Sequence, residues 1–234
     1  MAEPVWWATG CAVVTAALAS LGPTVIRRLP EPELAEDRFG KAAYVDLASA
    51  AKLTRRLAAA GAVVGALVGE RLAAQGALAA WTCLAAVGVI LGYVDARTRL
   101  LPTRLIAPSY LVVIAALGLA SAFQREHQDL VRAALGWALM GGVYLALWFV
   151  HPAGLGYGDV RLSGLLGIAL GYVGWGSLVT GLYAGFVLGG LVGLVLTVGG
   201  AGWRGHFAFG PFMLTGALVG LVWGSDLGAW YTSL

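Results

Sequence analysis

Charged residues are scarce in this sequence. Only 12% of the 234 residues are charged, whereas 59% are hydrophobic, and the mean hydropathy is +0.82. A soluble globular domain carries about a quarter charged residues. The composition therefore excludes a soluble enzyme, a nucleic-acid-binding protein and a disordered chain, and it predicts a polytopic membrane protein.

Cysteine is also scarce, and glycine is not. The two cysteines, Cys11 and Cys83, lie in apolar runs, so they form neither a disulfide framework nor a C-x-x-C metal site. The three histidines are dispersed, and we expect no metal and no other cofactor. The 35 glycines lie largely within apolar runs, where glycine lets membrane helices approach closely.

The apolar runs predict an all-α bundle of about eight transmembrane helices. A span needs about 20 apolar residues. The runs read as one span over 5–26, two within 57–94, one each over 105–123 and 130–150, two between 162 and 200 with a break near 171–176, and a last one over 207–223. We expect residues 1–234 to form a single membrane-embedded domain.

Positive charge predicts the orientation of this bundle. The first run has no cation before it and is followed by Arg27 and Arg28, which favours an uncleaved helix with its N-terminus outside. With that orientation, cytoplasmic segments hold twelve of the 15 lysines and arginines, and the outer face holds three. The polar segment 27–56 becomes a cytoplasmic loop, with a possible amphipathic helix near 44–53.

Two acids differ from the others. Most carboxylates belong to the polar segment or to short outer turns, but Asp95 ends one apolar run and Asp159 begins another. They are 64 residues apart, and the two intervening spans return the chain to the face it left. Both carboxylates are therefore predicted at the cytoplasmic boundary. Two neighbouring carboxyl groups tend to share one proton, so one can activate water and the other can protonate a leaving amide nitrogen.

The residues before Asp159 sharpen this hypothesis. In Gly156-Tyr157-Gly158-Asp159 the glycines permit a tight turn and a close approach by a substrate chain. Asp159 also falls at a helix start, where the helix dipole favours a carboxylate. An aspartate that merely caps a helix on a glycine turn is the competing interpretation.

The sequence resembles the type IV prepilin peptidases, which are membrane aspartic proteases of the GxGD type. Three blocks carry the resemblance, in the order and with the spacing of that family. They are Asp95-Ala96-Arg97-Thr98-Arg99-Leu100-Leu101-Pro102, Gly156-Tyr157-Gly158-Asp159-Val160-Arg161-Leu162 and Phe209-Gly210-Pro211-Phe212. The resemblance extends over nearly the whole chain and is weaker before Gly88.

The resemblance implies a function. Asp95 and Asp159 would be the catalytic pair, and the substrates would be prepilin or pseudopilin precursors with a basic leader and an apolar helix. Cleavage would occur at the cytoplasmic face of the bacterial cytoplasmic membrane. Supporting or substrate-binding residues would come from the same blocks: Pro102, Gly156, Tyr157, Gly158, Arg161, Gly210 and Pro211. Tyr157 could instead belong to an interfacial aromatic belt, and Arg161 could be an arginine that snorkels to the interface.

The chain departs from the family pattern in three places. Many members carry a zinc-binding tetra-cysteine domain and also methylate the new N-terminus, but segment 27–56 has no cysteine. This is the short form, and the absence argues against N-methyltransferase activity. Arg161 stands where lysine is frequent, and Ala208 where proline is common.

Two other functions compete with the protease. A small proton-coupled transporter also uses intramembrane aspartates, but it would hold them near the bilayer midplane, often between inverted repeats. A non-catalytic scaffold would use them as helix caps. The sequence offers no G-x-S-x-G or H-E-x-x-H motif for a serine or zinc protease.

Overall fold

The computed structural model describes residues 3–30, 44–125, 127–151, 154–198 and 208–233. Within these ranges all the regular secondary structure is helical. The helices are α1 (Glu3–Ser20), α2 (Gly22–Arg27), α3 (Tyr44–Ala48), α4 (Leu53–Arg71), α5 (Leu78–Thr98), α6 (Thr103–Gln124), α7 (Gln128–Val150), α8 (Tyr157–Val173), α9 (Trp175–Val198) and α10 (Gly210–Thr232).

The predicted all-α membrane bundle is confirmed. Six candidate spans in the described residues are long and apolar enough to cross a membrane: Val5–Arg27, Leu78–Thr98, Thr103–Gln124, Gln128–Val150, Trp175–Val195 and Gly210–Trp230. Two further helices are not counted as candidate membrane spans. Helix α4 carries four charged residues, and α8 has only 17 residues, about 25 Å. The count of eight spans and the outside N-terminus remain predictions. Phe207, where the last span was predicted to begin, lies outside the described residues.

The polar segment 27–56 is partly helical. Residues 31–43 of the predicted loop lie outside the described residues, and the rest contains α3 and the start of α4. Helix α3 is only five residues long, and its buried Tyr44 and Leu47 belong to an apolar cluster with Ile26 and Leu57. Helix α4 begins at Leu53, so Arg55 and Arg56 lie in its first turn. Arginine tolerates this position because its aliphatic stem can lie along the helix while its head stays in water.

Glycines hold together three antiparallel helix pairs: α1 with α4, α7 with α8, and α9 with α10. In α4, Gly61, Gly65 and Gly69 recur every fourth residue, and a Cβ at each would collide with α1. The other two pairs use Gly136 against Gly167 and Gly185 against Gly216 in the same way. This small-xxx-small packing brings backbones together without large side chains between them.

Helices α5 and α8 form the centre of the bundle. They have the most extensively buried surfaces among the long helices, and every residue from Leu162 to Tyr172 is buried. The Trp81 indole N–H donates to the Ala169 carbonyl at 3.2 Å and joins the two helices. Helices α6, α7 and α9 instead expose large apolar side chains such as Phe123 and Phe149, as expected for a lipid-facing surface.

Candidate active site

The two acids predicted from the sequence lie at helix ends. Asp95 is in the last turn of α5 and is 3% exposed, and Asp159 is the third residue of α8 and is 7% exposed. The turn after α5 packs on the start of α8, where a Cβ on Gly158 would lie 2.8 Å from the Cβ of Leu101, so the two acids lie at the same end of the bundle. The structure therefore brings together two residues that α6 and α7 separate in the chain.

A glycine amide anchors each acid. The Gly210 N–H donates to Oδ2 of Asp95 at 2.9 Å, and the Gly156 N–H donates to Oδ2 of Asp159 at 2.9 Å. Both amides lie at the start of a helix, α10 and α8 respectively, where N–H groups lack intrahelical partners and the dipole favours negative charge. Asp159 also donates its own N–H to the Gly156 carbonyl at 3.0 Å, which fixes the turn that begins α8.

Three of the predicted supporting residues are explained by close backbone approach. A Cβ on Gly210 would lie 2.7 Å from Oδ2 of Asp95, and one on Gly158 would lie 2.8 Å from the Cβ of Leu101. A Cβ on Gly156 would lie 3.2 Å from Oδ2 of Asp159. These glycines let the acids and the turn after α5 approach the starts of α8 and α10.

The two predicted prolines shape helix starts beside the acids. Pro102 is the N-terminal cap of α6, and its carbonyl accepts the Leu105 N–H at 3.0 Å. Pro211 lies in the first turn of α10, where its missing N–H costs nothing. It also borders an apolar groove between α5 and α10 that includes Gly88 and Gly92. Asp95 follows these two glycines at helical spacing, so the groove leads toward the site.

Arg161 and Tyr157 contact each other near the start of α8. The Arg161 guanidinium lies 4.6 Å from the centre of the Tyr157 ring and donates a hydrogen bond to the Thr103 hydroxyl of α6. The Tyr110 hydroxyl, also on α6, donates to the Arg161 carbonyl at 2.7 Å. Arg161 therefore positions α8 against α6. Tyr157 is half exposed and also packs on Trp148.

Sequence reasoning missed Tyr144. This residue of α7 is fully buried, and its hydroxyl has no hydrogen-bond partner among the described residues. Its ring stacks on Phe186 at 5.0 Å and lies 6.0 Å from the ring of Phe209, the residue before the Asp95 anchor. A lone tyrosine in an apolar run carries no sequence signal that distinguishes it from an ordinary core residue.

The described residues contain no group of three or more histidine, cysteine, aspartate or glutamate side chains that could hold a metal ion. The candidate site contains two carboxyl groups, Asp95 and Asp159. Such a pair can accept a proton from water and deliver another to a leaving group.

Comparison with known proteins decides the family. The model of the type IV leader peptidase family matches residues 82–225, which is more than half of the chain and includes both acids and both anchoring glycines. The chain belongs to this family. The resemblance inferred from the three sequence blocks is thereby confirmed.

Individual relatives agree with the family match. A prepilin leader peptidase/N-methyltransferase of Escherichia coli (strain K12) is 29% identical over 70% of this chain and 71% of its own length. Proteins with the same name from Burkholderia pseudomallei (strain 1026b) and Aeromonas salmonicida (strain A449) are each 32% identical. They match 69% and 42% of this chain, and the match covers 52% and 37% of their own lengths. No solved structure matches the chain.

Proposed function

We propose that this chain is a membrane aspartic endopeptidase that cleaves the leader peptide of type IV prepilin-like precursors at the cytoplasmic membrane face. The observation that carries the proposal is the convergence of two buried carboxyl groups, Asp95 and Asp159, at one end of the bundle. The relatives are prepilin leader peptidases by name, which supports the substrate class.

The proposed mechanism divides two proton transfers between the acids. The ionised carboxylate of the pair takes a proton from water as the water oxygen attacks the scissile carbonyl carbon. The protonated acid then gives its proton to the amide nitrogen, the carbon–nitrogen bond breaks, and a new carboxyl and a new amine result. The glycine N–H bonds to Oδ2 of each acid hold the two groups in place through both transfers.

The position of the acids favours a protease over a carrier. Both lie in terminal turns, Asp95 at the end of α5 and Asp159 at the start of α8, and neither is at the middle of a helix. A carrier that relays protons would hold its acids near the midplane. A precursor whose apolar helix lies in the bilayer would present its leader junction at the edge, and the groove beside Gly88 and Gly92 suits such a helix.

The experiment uses the full chain in proteoliposomes with a synthetic precursor that has a basic leader ending in glycine, followed by an apolar helix. Mass spectrometry measures the cleaved product. We expect Asp95→Asn and Asp159→Asn each to lower the cleavage rate about 10²- to 10⁴-fold, because each removes one proton-transfer group. With no cysteine module in segment 27–56, the product is expected to carry an unmethylated N-terminus.

Asp226→Asn is the matched control. Its carboxylate pairs with Arg71 at 3.2 Å, is 70% exposed and lies near the other end of α10. This variant should cleave at the wild-type rate. A folded Asp95→Asn or Asp159→Asn protein that does the same would overturn the proposed mechanism.

A further inference from the structure

Helices α7 and α8 place Tyr144 beside the first turns of α8. The pair runs antiparallel: Gly136 meets Gly167, Gly141 lies beside Gly164, and at the other end the ring of Trp148 is 5.3 Å from that of Tyr157. Tyr144 lies between the last two of these contacts, and so does Asp159 on the opposite helix. This register sets Tyr144 and Asp159 at the same level of the α7–α8 pair.

Both side chains retain an unused polar atom. Neither the Tyr144 hydroxyl nor Oδ1 of Asp159 has a hydrogen-bond partner among the residues that the structure describes, and both atoms are buried. A buried polar atom that is left unpaired is energetically unfavourable. Two such atoms at the same level of the α7–α8 pair indicate a site that is completed by another molecule.

The surroundings of Tyr144 fix its ring and leave the hydroxyl free. The ring is held between Phe186 and Phe209, with centroid distances of 5.0 and 6.0 Å. Aromatic neighbours offer no strong acceptor, so the phenol O–H keeps its capacity to donate. In so apolar a space, a donor stabilises developing negative charge far more than it would in water.

We propose that Tyr144 is a catalytic residue whose hydroxyl donates a hydrogen bond to the carbonyl oxygen of the scissile peptide bond. When water held by the two acids attacks the carbonyl carbon, negative charge develops on that oxygen, and the Tyr144 O–H stabilises it. A donor near Asp159 but not bonded to it suits this task, because the peptide carbonyl must fit between them. Because Tyr144 is fully buried in the resting protein, the proposal requires neighbouring side chains to rearrange when the substrate binds. This inference rests on the proposed function.

The test is Tyr144→Phe, which removes one oxygen atom and retains the stacked ring. With the synthetic precursor in proteoliposomes, we expect kcat to fall about 10²-fold with KM changed less than threefold, the pattern for an interaction made in the transition state. We also expect the Tm to stay the same or rise, because the lost hydroxyl has no partner in the resting protein. A purely structural hydroxyl would give a lower Tm at constant kcat.

Tyr172→Phe is the control, since Tyr172 is also buried but lies at the far end of α8. It should leave kcat within twofold of wild type. If Tyr144→Phe retains the wild-type kcat while Asp159→Asn is inactive, the role of Tyr144 is wrong and the aspartic mechanism stands. If Asp159→Asn remains active, the proposed function itself fails.

Discussion

At the scale of single residues, the two acids are held by the same kind of hydrogen bond. Each carboxylate accepts a hydrogen bond from the amide of a glycine at a helix start, Gly210 for Asp95 and Gly156 for Asp159. The missing side chain of each glycine also matters, because a Cβ would come too close to the carboxylate oxygen that accepts the amide hydrogen bond. The acids are thereby oriented while Oδ1 of Asp159 stays free for another molecule.

Gly210→Ala tests whether this orientation matters. The new Cβ would lie 2.7 Å from Oδ2 of Asp95, so the carboxylate must shift and its bond to the amide must lengthen. A displacement of about 1 Å at a reacting group can cost about 10²-fold in rate. We expect a kcat loss of that order in the precursor assay.

Gly118→Ala provides the comparison, because nothing lies within 4 Å of the Cβ that it adds on α6. Its cleavage rate should equal that of the wild type. Equal rates for Gly210→Ala and Gly118→Ala would show that the anchor on Asp95 has no catalytic effect.

Part of the candidate site could be predicted from the sequence, and the remainder depends on how the helices pack. Asp95 and Asp159 could be predicted because charge is rare in the apolar runs and because two intervening spans return the chain to one face. Tyr144 could not, since a hydroxyl among apolar residues looks like any core tyrosine until its neighbours on α8 are known. The contact of Arg161 with Thr103 likewise depends on how α6 and α8 pack.

At the scale of helices, glycine contacts determine which helices pair. Gly136 on α7 lies so close to Gly167 on α8 that a Cβ would overlap the Gly167 carbonyl oxygen. The high glycine content predicted close helix packing, but it could not predict the partners, because glycines lie on several faces of most helices. The sequence predicted that the first span after the polar segment would be short unless it included residues before Arg55, and α4 does begin at Leu53.

Gly136→Ala should therefore destabilise the α7–α8 pair. Overpacking of this kind costs about 1–3 kcal/mol. The measurement is the free energy of unfolding in mixed micelles. The substitution should also shift Asp159 relative to α7. The cleavage rate should therefore fall together with the free energy of unfolding.

Gly142→Ala is the companion on the same helix. Nothing lies within 4 Å of its added Cβ, and alanine is the better helix former, so stability should remain within about 0.5 kcal/mol of wild type or rise. Equal destabilisation by the two substitutions would contradict the assigned role of the Gly136–Gly167 contact.

At the scale of the whole molecule, the two most buried helices carry the acids. Helices α5 and α8 are surrounded by the other helices, and their acid-bearing ends meet because α6 and α7 cross and return. At 1.5 Å per residue, the 22 residues of α6 extend about 33 Å, enough to cross the hydrocarbon core. Which end faces the cytoplasm rests on the distribution of positive charge.

Single-cysteine labelling tests that orientation. The background is a variant with Cys11 and Cys83 replaced by alanine. In it, Ala96→Cys marks the acid-bearing end of α5, and Gln128→Cys marks the opposite end of the bundle. Both positions are exposed. An impermeant maleimide added to intact spheroplasts should label Gln128→Cys, and should label Ala96→Cys only after permeabilisation. The reverse pattern would place the acids outside and overturn the predicted topology.

The hydrogen bond between Gly210 and Asp95 has a consequence for the time course of synthesis. Its partners are 115 residues apart in the chain. A ribosome adding about 5–20 residues per second reaches Gly210 roughly 6–23 s after Asp95. During that interval Asp95 is already made, but the amide that orients it is not. A nascent chain that contains both acids therefore still lacks this hydrogen bond until the start of α10 has been made.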